Sequence, residues 1–182
     1  MKKIFSVILM MFAILAMVSC DSLNPSERLM VGKWYYSEDV TDTIEYTIES
    51  NDEYHDDKTY VSNGTMRLVW DVPDVDGVQE VVILSFAEKG TWNIIDKMQN
   101  TNATDVDIKI ADVSLQGENL TDDRTVIQEV VASEKKRLYY DYVIPLKKEC
   151  MGEDSARIIT LNETTCVTVD KDGNKTEMRR IK

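Results

Sequence analysis

Few residues of this chain could do covalent or metal chemistry, and they lie far apart. His55 is the only histidine among the 182 residues, and no set of cysteines and histidines stands at a metal-ligand spacing. It lies in a polar run, residues 51–57, whose carboxylates could bind Ca²⁺ or form a solvated hairpin loop. Because the sequence has no nucleophile beside a base and no glycine-rich phosphate loop, we expect no enzyme activity, no metal and no cofactor.

Cys20 is the thiol with the most informative surroundings. Lys2 and Lys3 precede a predominantly apolar run over residues 4–18, and Ser19 stands directly before the cysteine. The run is shorter than the roughly 20 residues that a membrane-spanning helix needs, so it predicts an export signal over residues 1–19. Met-Val-Ser-Cys at residues 17–20 resembles the lipobox of bacterial lipoproteins. The resemblance implies cleavage before Cys20 and attachment of fatty acyl chains such as palmitate to it.

The same resemblance implies a place in the cell. A lipoprotein of this kind is anchored in the cell envelope through its acyl chains, with the outer membrane favoured and the domain in the periplasm or at the cell surface. Losing Lys2 and Lys3 with the signal takes the formal net charge from −12 to −14. Such an acidic chain is unsuited to nucleic acid or to anionic headgroups, so we expect membrane contact through the acyl chains alone.

Most of the remaining chain alternates between apolar and polar residues with a period of two. This pattern is typical of strands with one covered face and occurs, for example, at residues 44–48, 66–70 and 106–110. Further strands are predicted over residues 81–84, 138–144, 157–161, 164–169 and 176–181. Eight or nine strands at this spacing predict an all-β antiparallel barrel or sandwich over residues 32–182, after a tether at 20–31.

One segment departs from the alternation. Residues 121–137 carry valine and isoleucine at helical spacing, with acidic residues at the start and basic residues at the end. We therefore predict one α-helix inserted among the strands. It could cap the mouth of a cavity or pack against the outside of the barrel.

A tryptophan motif opens the first predicted strand. Gly32-Lys33-Trp34 is followed by related segments at residues 57–65, 90–94 and 158–164, and the ordered set resembles the lipocalin-like domains of bacterial lipoproteins. The resemblance implies a closed barrel of about eight strands in which Gly32 and Trp34 shape one end. It also implies that Arg179 or Arg180 packs its guanidinium over the Trp34 indole.

The lipocalin resemblance favours a carrier or binding module for a small molecule. Eight tyrosines and three tryptophans would suit a pocket lined by aromatic rings that carry a hydroxyl or N–H group at one end. We predict Trp70, Tyr140 and Tyr142 as candidate lining residues. The alternative is a structural or protein-interaction lipoprotein of the cell envelope, with a filled barrel and no ligand. Cys150 and Cys166 could form a disulfide or remain as free thiols.

Overall fold

Eight antiparallel strands close into one barrel in the computed structural model, which describes residues 23–41, 45–73, 75–118, 120–121 and 123–182. The strands are β1 (Gly32–Val40), β2 (Glu45–Tyr54), β3 (Thr59–Asp71), β4 (Val78–Ile95), β5 (Met98–Gly117), β6 (Gly152–Leu161), β7 (Thr165–Val169) and β8 (Lys175–Arg180). Each strand pairs with the next, and β8 pairs with β1. The predicted antiparallel barrel is therefore confirmed. The predicted signal at 1–19 and Cys20 lie outside the described residues.

The barrel wall is uneven in height. β4 and β5 have 18 and 20 residues, whereas β7 and β8 have only 5 and 6. The upper parts of β3, β4 and β5 therefore extend beyond the closed ring, and their inner face would be bare without a cover.

A continuous helical segment of 26 residues joins β5 to β6 and provides that cover. It consists of α2 (Arg124–Leu138), a π-helical turn (Tyr139–Val143) and α3 (Ile144–Glu149). Leu138 and Val143 are each 2% exposed and pack against the overhanging strands. The helix predicted at 121–137 is thus present, but it begins at Arg124 and runs far beyond residue 137.

The strand predicted over residues 138–144 is wrong, because these residues continue the helix. Among residues 138–144 only Leu138 and Val143 are buried, and two residues five positions apart cannot share one face of a strand. The wider π-helical turn ends at Val143, two residues before Pro145, which lacks an N–H and could not continue a regular helical ladder.

A short helix, α1 (Pro25–Met30), closes the opposite end of the barrel. Asn24 caps it by accepting from the Glu27 N–H, and Pro25 occupies the first turn, where a missing N–H costs nothing. Met30 is fully buried and Glu27 is 2% exposed. This part of the predicted tether is therefore packed into the domain.

The apolar core divides into two clusters. The closed-end cluster fills the narrow end beside α1 and contains Met30, Trp34, Tyr54, Tyr60, Trp92, Ile94, Ile158, Cys166 and Met178. The helix-covered cluster lies between the overhanging strands and the long helix, and contains Val82, Leu84, Ala103, Val106, Ile108, Val113, Leu138 and Val143. No helix within the described ranges has the length and apolarity needed to cross a bilayer.

Candidate functional site

The closed end is organised around a buried indole. Trp34 is fully buried, donates from Nε1 to the Met30 carbonyl at 2.7 Å, and lies opposite Arg180 in the β1–β8 ladder. The guanidinium carbon of Arg180 is 4.4 Å from the centre of the Trp34 ring, within cation–π range. Arg179 lies on the other face of β8, with a side chain that is 78% exposed. Strand alternation thus assigns the inward position to Arg180.

Gly32 allows the Arg180 side chain to reach this position. It adopts φ +125°, and a Cβ there would lie 2.5 Å from a guanidinium nitrogen of Arg180. The same guanidinium donates to the carbonyls of Val31 and Leu29, which end α1 and lead into β1. The motif residues predicted from the sequence therefore join the first strand, the last strand and α1 at one point.

Three aromatic rings lie directly above the pair of Trp34 and Arg180, and we call them the floor of the barrel interior. The rings of Tyr54 and Tyr60 stack with centres 5.9 Å apart, and the edge of Trp92 meets Tyr54 at 5.4 Å. Trp92 donates from Nε1 to the Thr59 carbonyl at 3.0 Å, and the Tyr54 hydroxyl accepts from Gln99 at 3.0 Å. These bonds fix the rings, so the floor is rigid.

A polar cavity of about 290 Å³ lies directly above the floor, and we call it the polar chamber. Its lining comes from β2 to β8 and includes Asp52, Tyr54, Tyr60, Ser62, Glu88, Gln99, Thr101, Asp154, Ser155, Ala156, Thr168, Asp170, Thr176 and Met178. The register explains this composition, because Trp34 stands opposite Asp52 and Ser62 stands opposite both Asp52 and Glu88. Alternate residues along each strand face the barrel interior, and these inward-facing residues form both the aromatic floor and the acidic wall.

Two carboxylates dominate the deep part of the polar chamber. Asp52 accepts a hydrogen bond from Ser62 at 2.6 Å, and Glu88 accepts one from the Tyr60 hydroxyl. Burial raises the pKa of Asp52 above its ordinary value. Burial, together with the negative charges of Asp52 and Asp154, raises the pKa of Glu88 despite the hydrogen bond from Tyr60.

The chamber carries negative charge without a positive partner in its wall. Asp154 and Asp170 add two further carboxylates towards the rim. No lysine, arginine or histidine is among the residues that line it. The deep wall also holds Thr168, which is 5% exposed and whose hydroxyl makes no hydrogen bond to any described residue. The chamber therefore offers acceptors and a hydroxyl to whatever occupies it.

A smaller apolar cavity of about 190 Å³ continues the interior towards the long helix, and we call it the apolar chamber. It is lined by Ile48, Met66, Leu84, Phe86, Glu88, Val106, Ile108, Leu146 and Cys150. Leu146 and Cys150 come from α3 and the residue after it, so this end of the helix forms a roof. Glu88 lines both chambers and stands at their junction.

A third cavity reaches Glu88 from the side, between the end of α3 and the start of β6. It has a volume of about 350 Å³, and its outer rim includes Glu149, Cys150 and Met151, all of which are exposed. Gly152 opens β6 here with φ +105° and has no atom close to the position of a Cβ. This gap is a route by which a solute could reach the junction of the two chambers.

The ligand-lining residues predicted from the sequence do not meet in either chamber. Tyr140 and Tyr142 lie on the π-helical turn and are 59% and 47% exposed, so they do not line the barrel interior. The prediction depended on a strand over residues 138–144, and those residues are helical in the structure. Trp70 does face inward on β3, but it packs beneath the long helix and donates to Glu80 at 3.0 Å, away from both chambers.

The acidic wall was missed by the sequence analysis, which assigned residues 51–57 to a calcium site or a solvated loop. Residues 51–54 belong to β2, and only the following residues form the turn. The available signal was the strand alternation, because Asp52 stands two residues from Tyr54 and therefore lies on the same strand face.

The disulfide considered for Cys150 and Cys166 is absent from the structure. Both cysteines are free, and burial raises the pKa of the Cys166 thiol to about 11.

Neither a scan against protein-family models nor a search of curated proteins finds a match for this chain.

Proposed function

We propose that this protein is a lipid-anchored binding protein of the cell envelope whose barrel holds one small organic molecule. The observation that carries the proposal is the polar chamber, a cavity of about 290 Å³ into which side chains from most of the barrel strands converge. A filled barrel, the alternative expected from the sequence, would leave no such space. Concave sites with a few convergent polar groups are the usual form of small-molecule sites in proteins.

The size of the cavity supports a ligand of modest dimensions. A volume of 290 Å³ corresponds to about ten water molecules at the liquid volume of roughly 30 Å³ each. An eight-stranded barrel is wide enough for packed side chains or for one small ligand. Here the long β3, β4 and β5 and the helical roof enlarge the interior beyond the packed closed end.

The lipocalin resemblance of the sequence is part of the same proposal. Up-and-down closure of eight strands is the architecture of lipocalins, and the contact of Trp34 with Arg180 lies where that resemblance implies it. The proposal therefore includes kinship with the lipocalin-like domains of bacterial lipoproteins, anchored through acyl chains on Cys20. A carrier or binding role in the periplasm or at the cell surface is consistent with this kinship.

Membrane fractionation tests the anchor. The Cys20→Ser variant lacks the thiol that would be acylated, so it should leave the membrane fraction and appear in the soluble fraction. Cys150→Ser is the matched control and should remain with the membrane, because Cys150 is one of the free thiols of the folded domain. Unchanged membrane association of Cys20→Ser would contradict lipidation.

Native mass spectrometry tests the binding role. Protein purified from its natural membranes should carry an additional mass that is released on unfolding. Ala156 lines the polar chamber, so Ala156→Trp should fill the space and abolish the additional mass. The matched control is Ala87→Trp, since Ala87 lies on β4 between two chamber-facing neighbours and its own side chain points out of the barrel.

Two results would contradict the binding role. One is the absence of any bound small molecule in protein purified from its natural membranes. The other is retention of the bound mass by a folded Ala156→Trp variant, because the molecule would then occupy a different place. Either result would favour the alternative, an envelope lipoprotein that acts through its outer surface.

A further inference from the structure

We infer that the ligand class is an amphipathic organic cation: an ammonium group in the polar chamber, carrying an apolar tail that extends into the apolar chamber. This inference rests on the proposed function, since it names the kind of molecule that the barrel would bind.

The charge of the wall selects the charge of the ligand. Asp52 and Glu88 lie in the deep part of the polar chamber, and Asp154 and Asp170 lie towards its rim. Close carboxylates without a cation disfavour one another: burial raises the pKa of Glu88, and the charges of Asp52 and Asp154 add to that increase. An ammonium between them would relieve this repulsion, whereas a carboxylate or phosphate would add to it.

Unpaired groups in the wall mark the place of the ammonium. Glu88 accepts from Tyr60 through Oε1, and its Oε2 has no hydrogen-bond partner among the described residues. Thr168 is 5% exposed, lines the same chamber and has a hydroxyl without a hydrogen bond to the described part of the chain. Buried polar groups are almost always paired, so the unpartnered Thr168 hydroxyl indicates that a polar group of the ligand belongs beside it, and the half-buried Glu88 Oε2 offers that group a further acceptor in the same chamber. An ammonium supplies up to three N–H donors.

The arrangement favours an organic cation over a metal ion. Across the described ranges, no group of three or more histidine, cysteine, aspartate or glutamate side chains is placed to hold a metal ion. The carboxylates instead surround a volume of molecular size, which an ammonium with attached carbon atoms would fill.

The apolar chamber accounts for the rest of the molecule. Met66, Leu84, Phe86 and Ile108 form its wall, Leu146 of α3 forms its roof, and Glu88 connects it to the polar chamber. A tail of several methylene groups placed here would leave water, at a gain of about 0.8 kcal/mol for each buried CH₂. A cation with a tail therefore uses both chambers, while a bare ammonium ion uses one.

Three probes of equal length test the ligand class on the purified full-length protein by isothermal titration calorimetry at pH 7. Hexylamine is protonated at this pH, hexanoate is its anionic counterpart and 1-hexanol its neutral counterpart. We expect saturable binding of hexylamine, at least tenfold weaker binding of 1-hexanol, and no binding of hexanoate. Methylammonium, which lacks the tail, should also bind at least tenfold more weakly than hexylamine.

Isosteric variants test the site. Glu88→Gln retains an acceptor for Tyr60 but loses the charge, and we expect it to weaken hexylamine binding about 10–100-fold while leaving 1-hexanol binding unchanged. Asp52→Asn should weaken hexylamine in the same direction. Asp105→Asn is the matched control, because Asp105 is exposed on β5 outside both chambers and should bind hexylamine as the wild type does. Far-UV circular dichroism and thermal unfolding confirm that each variant is folded.

The remaining outcomes distinguish a failure of the cationic ligand class from a failure of the proposed binding function. Equal or tighter binding of hexanoate or 1-hexanol would overturn the cationic class, while a bound natural molecule that Ala156→Trp abolishes would leave the binding role standing. Hexylamine binding that is unchanged in both Glu88→Gln and Asp52→Asn would overturn the assigned site. Absence of hexylamine binding would overturn the inference, and together with no bound natural molecule it would overturn the proposed function as well.

Discussion

Arg180 holds its guanidinium carbon 4.4 Å from the centre of the Trp34 ring and donates to two carbonyls at the end of α1. One side chain on the last strand thereby connects the first strand and the N-terminal helix. Since β8 has only six residues, this contact supplements a short ladder at the point where the barrel closes.

Arg180→Met should destabilise the protein by about 2–4 kcal/mol, combining a lost cation–π contact with carbonyls left without their donor. Arg179→Met, on the adjacent residue, removes an equally large but 78% exposed side chain and should change stability by less than about 0.5 kcal/mol. Urea unfolding at pH 7 measures both. Equal losses would show that the fold does not depend on which arginine faces inward.

Glu27 is the second group that fastens α1, and it gives a prediction for acid. Its carboxylate accepts from the Asn24 N–H at 2.8 Å, the Ile94 N–H at 3.1 Å and Lys58 Nζ at 3.0 Å. Burial opposes ionisation of Glu27, but these donors outweigh it and lower its pKa below 4.5. Glu27→Gln should therefore cost about 2–4 kcal/mol at pH 7.

The sign of the pH effect follows from the lowered pKa. The stabilisation is complete above the ordinary pKa of 4.5 and is lost as the pH falls through the lower pKa of the folded protein. The stability difference between wild type and Glu27→Gln should thus shrink below pH 4.5 in a series of urea curves. Glu53→Gln is the control, since its ion pair with Lys33 is 3.7 Å long and largely exposed. A difference that stays constant down to pH 3 would contradict this role of Glu27.

The polar chamber predicts the opposite trend, because its carboxylates have raised rather than lowered pKa values. The pKa values of Asp52 and Glu88 are raised in the folded protein, so the folded state takes up protons before the unfolded chain does. Without ligand, stability should rise as the pH is lowered from 7 through these raised pKa values towards the ordinary ones near 4. The melting temperature across this range measures the effect.

The double variant Asp52→Asn with Glu88→Gln should melt at a higher temperature than the wild type at pH 7. Its melting temperature should also change less as the pH is lowered from 7 towards the ordinary carboxyl pKa values near 4. Asp105→Asn, on the outer face, should keep the wild-type slope. An unchanged slope in the double variant would mean that the chamber carboxylates are not the groups that titrate.

Much of the barrel follows from local pattern. The alternation over residues 66–70 and 106–110 correctly predicted segments of β3 and β5, because each has one covered face. Residues 138–144 were also predicted as a strand, yet they form helix. Burial of Leu138 and Val143 against the overhanging strands decides their structure, and that partner surface is not visible in the local sequence.

The acidic wall was mispredicted for another reason. Its carboxylates were noted in the sequence, but they were assigned to a loop rather than to the barrel interior. A carboxylate on a strand is ordinarily turned outward, which favoured a solvated loop for Asp52. Its parity with Tyr54 pointed inward, and the ladder then places it near Ser62 and Glu88. Only the closed register brings side chains from distant strands around one volume, so the cavity itself could not be predicted.

The packing of α1 against the closed end sets how the barrel would stand on a membrane. Asn24 caps α1 and donates from its side chain to the Ile94 carbonyl, close to the turn between β4 and β5. With the proposed acyl chains on Cys20, the four residue steps to Asn24 span at most about 14 Å. The closed end of the barrel would then lie near the lipid surface, and the gap beside α3 would face the aqueous compartment. Cargo would be exchanged with water, or with a partner approaching from above, rather than drawn directly from the bilayer.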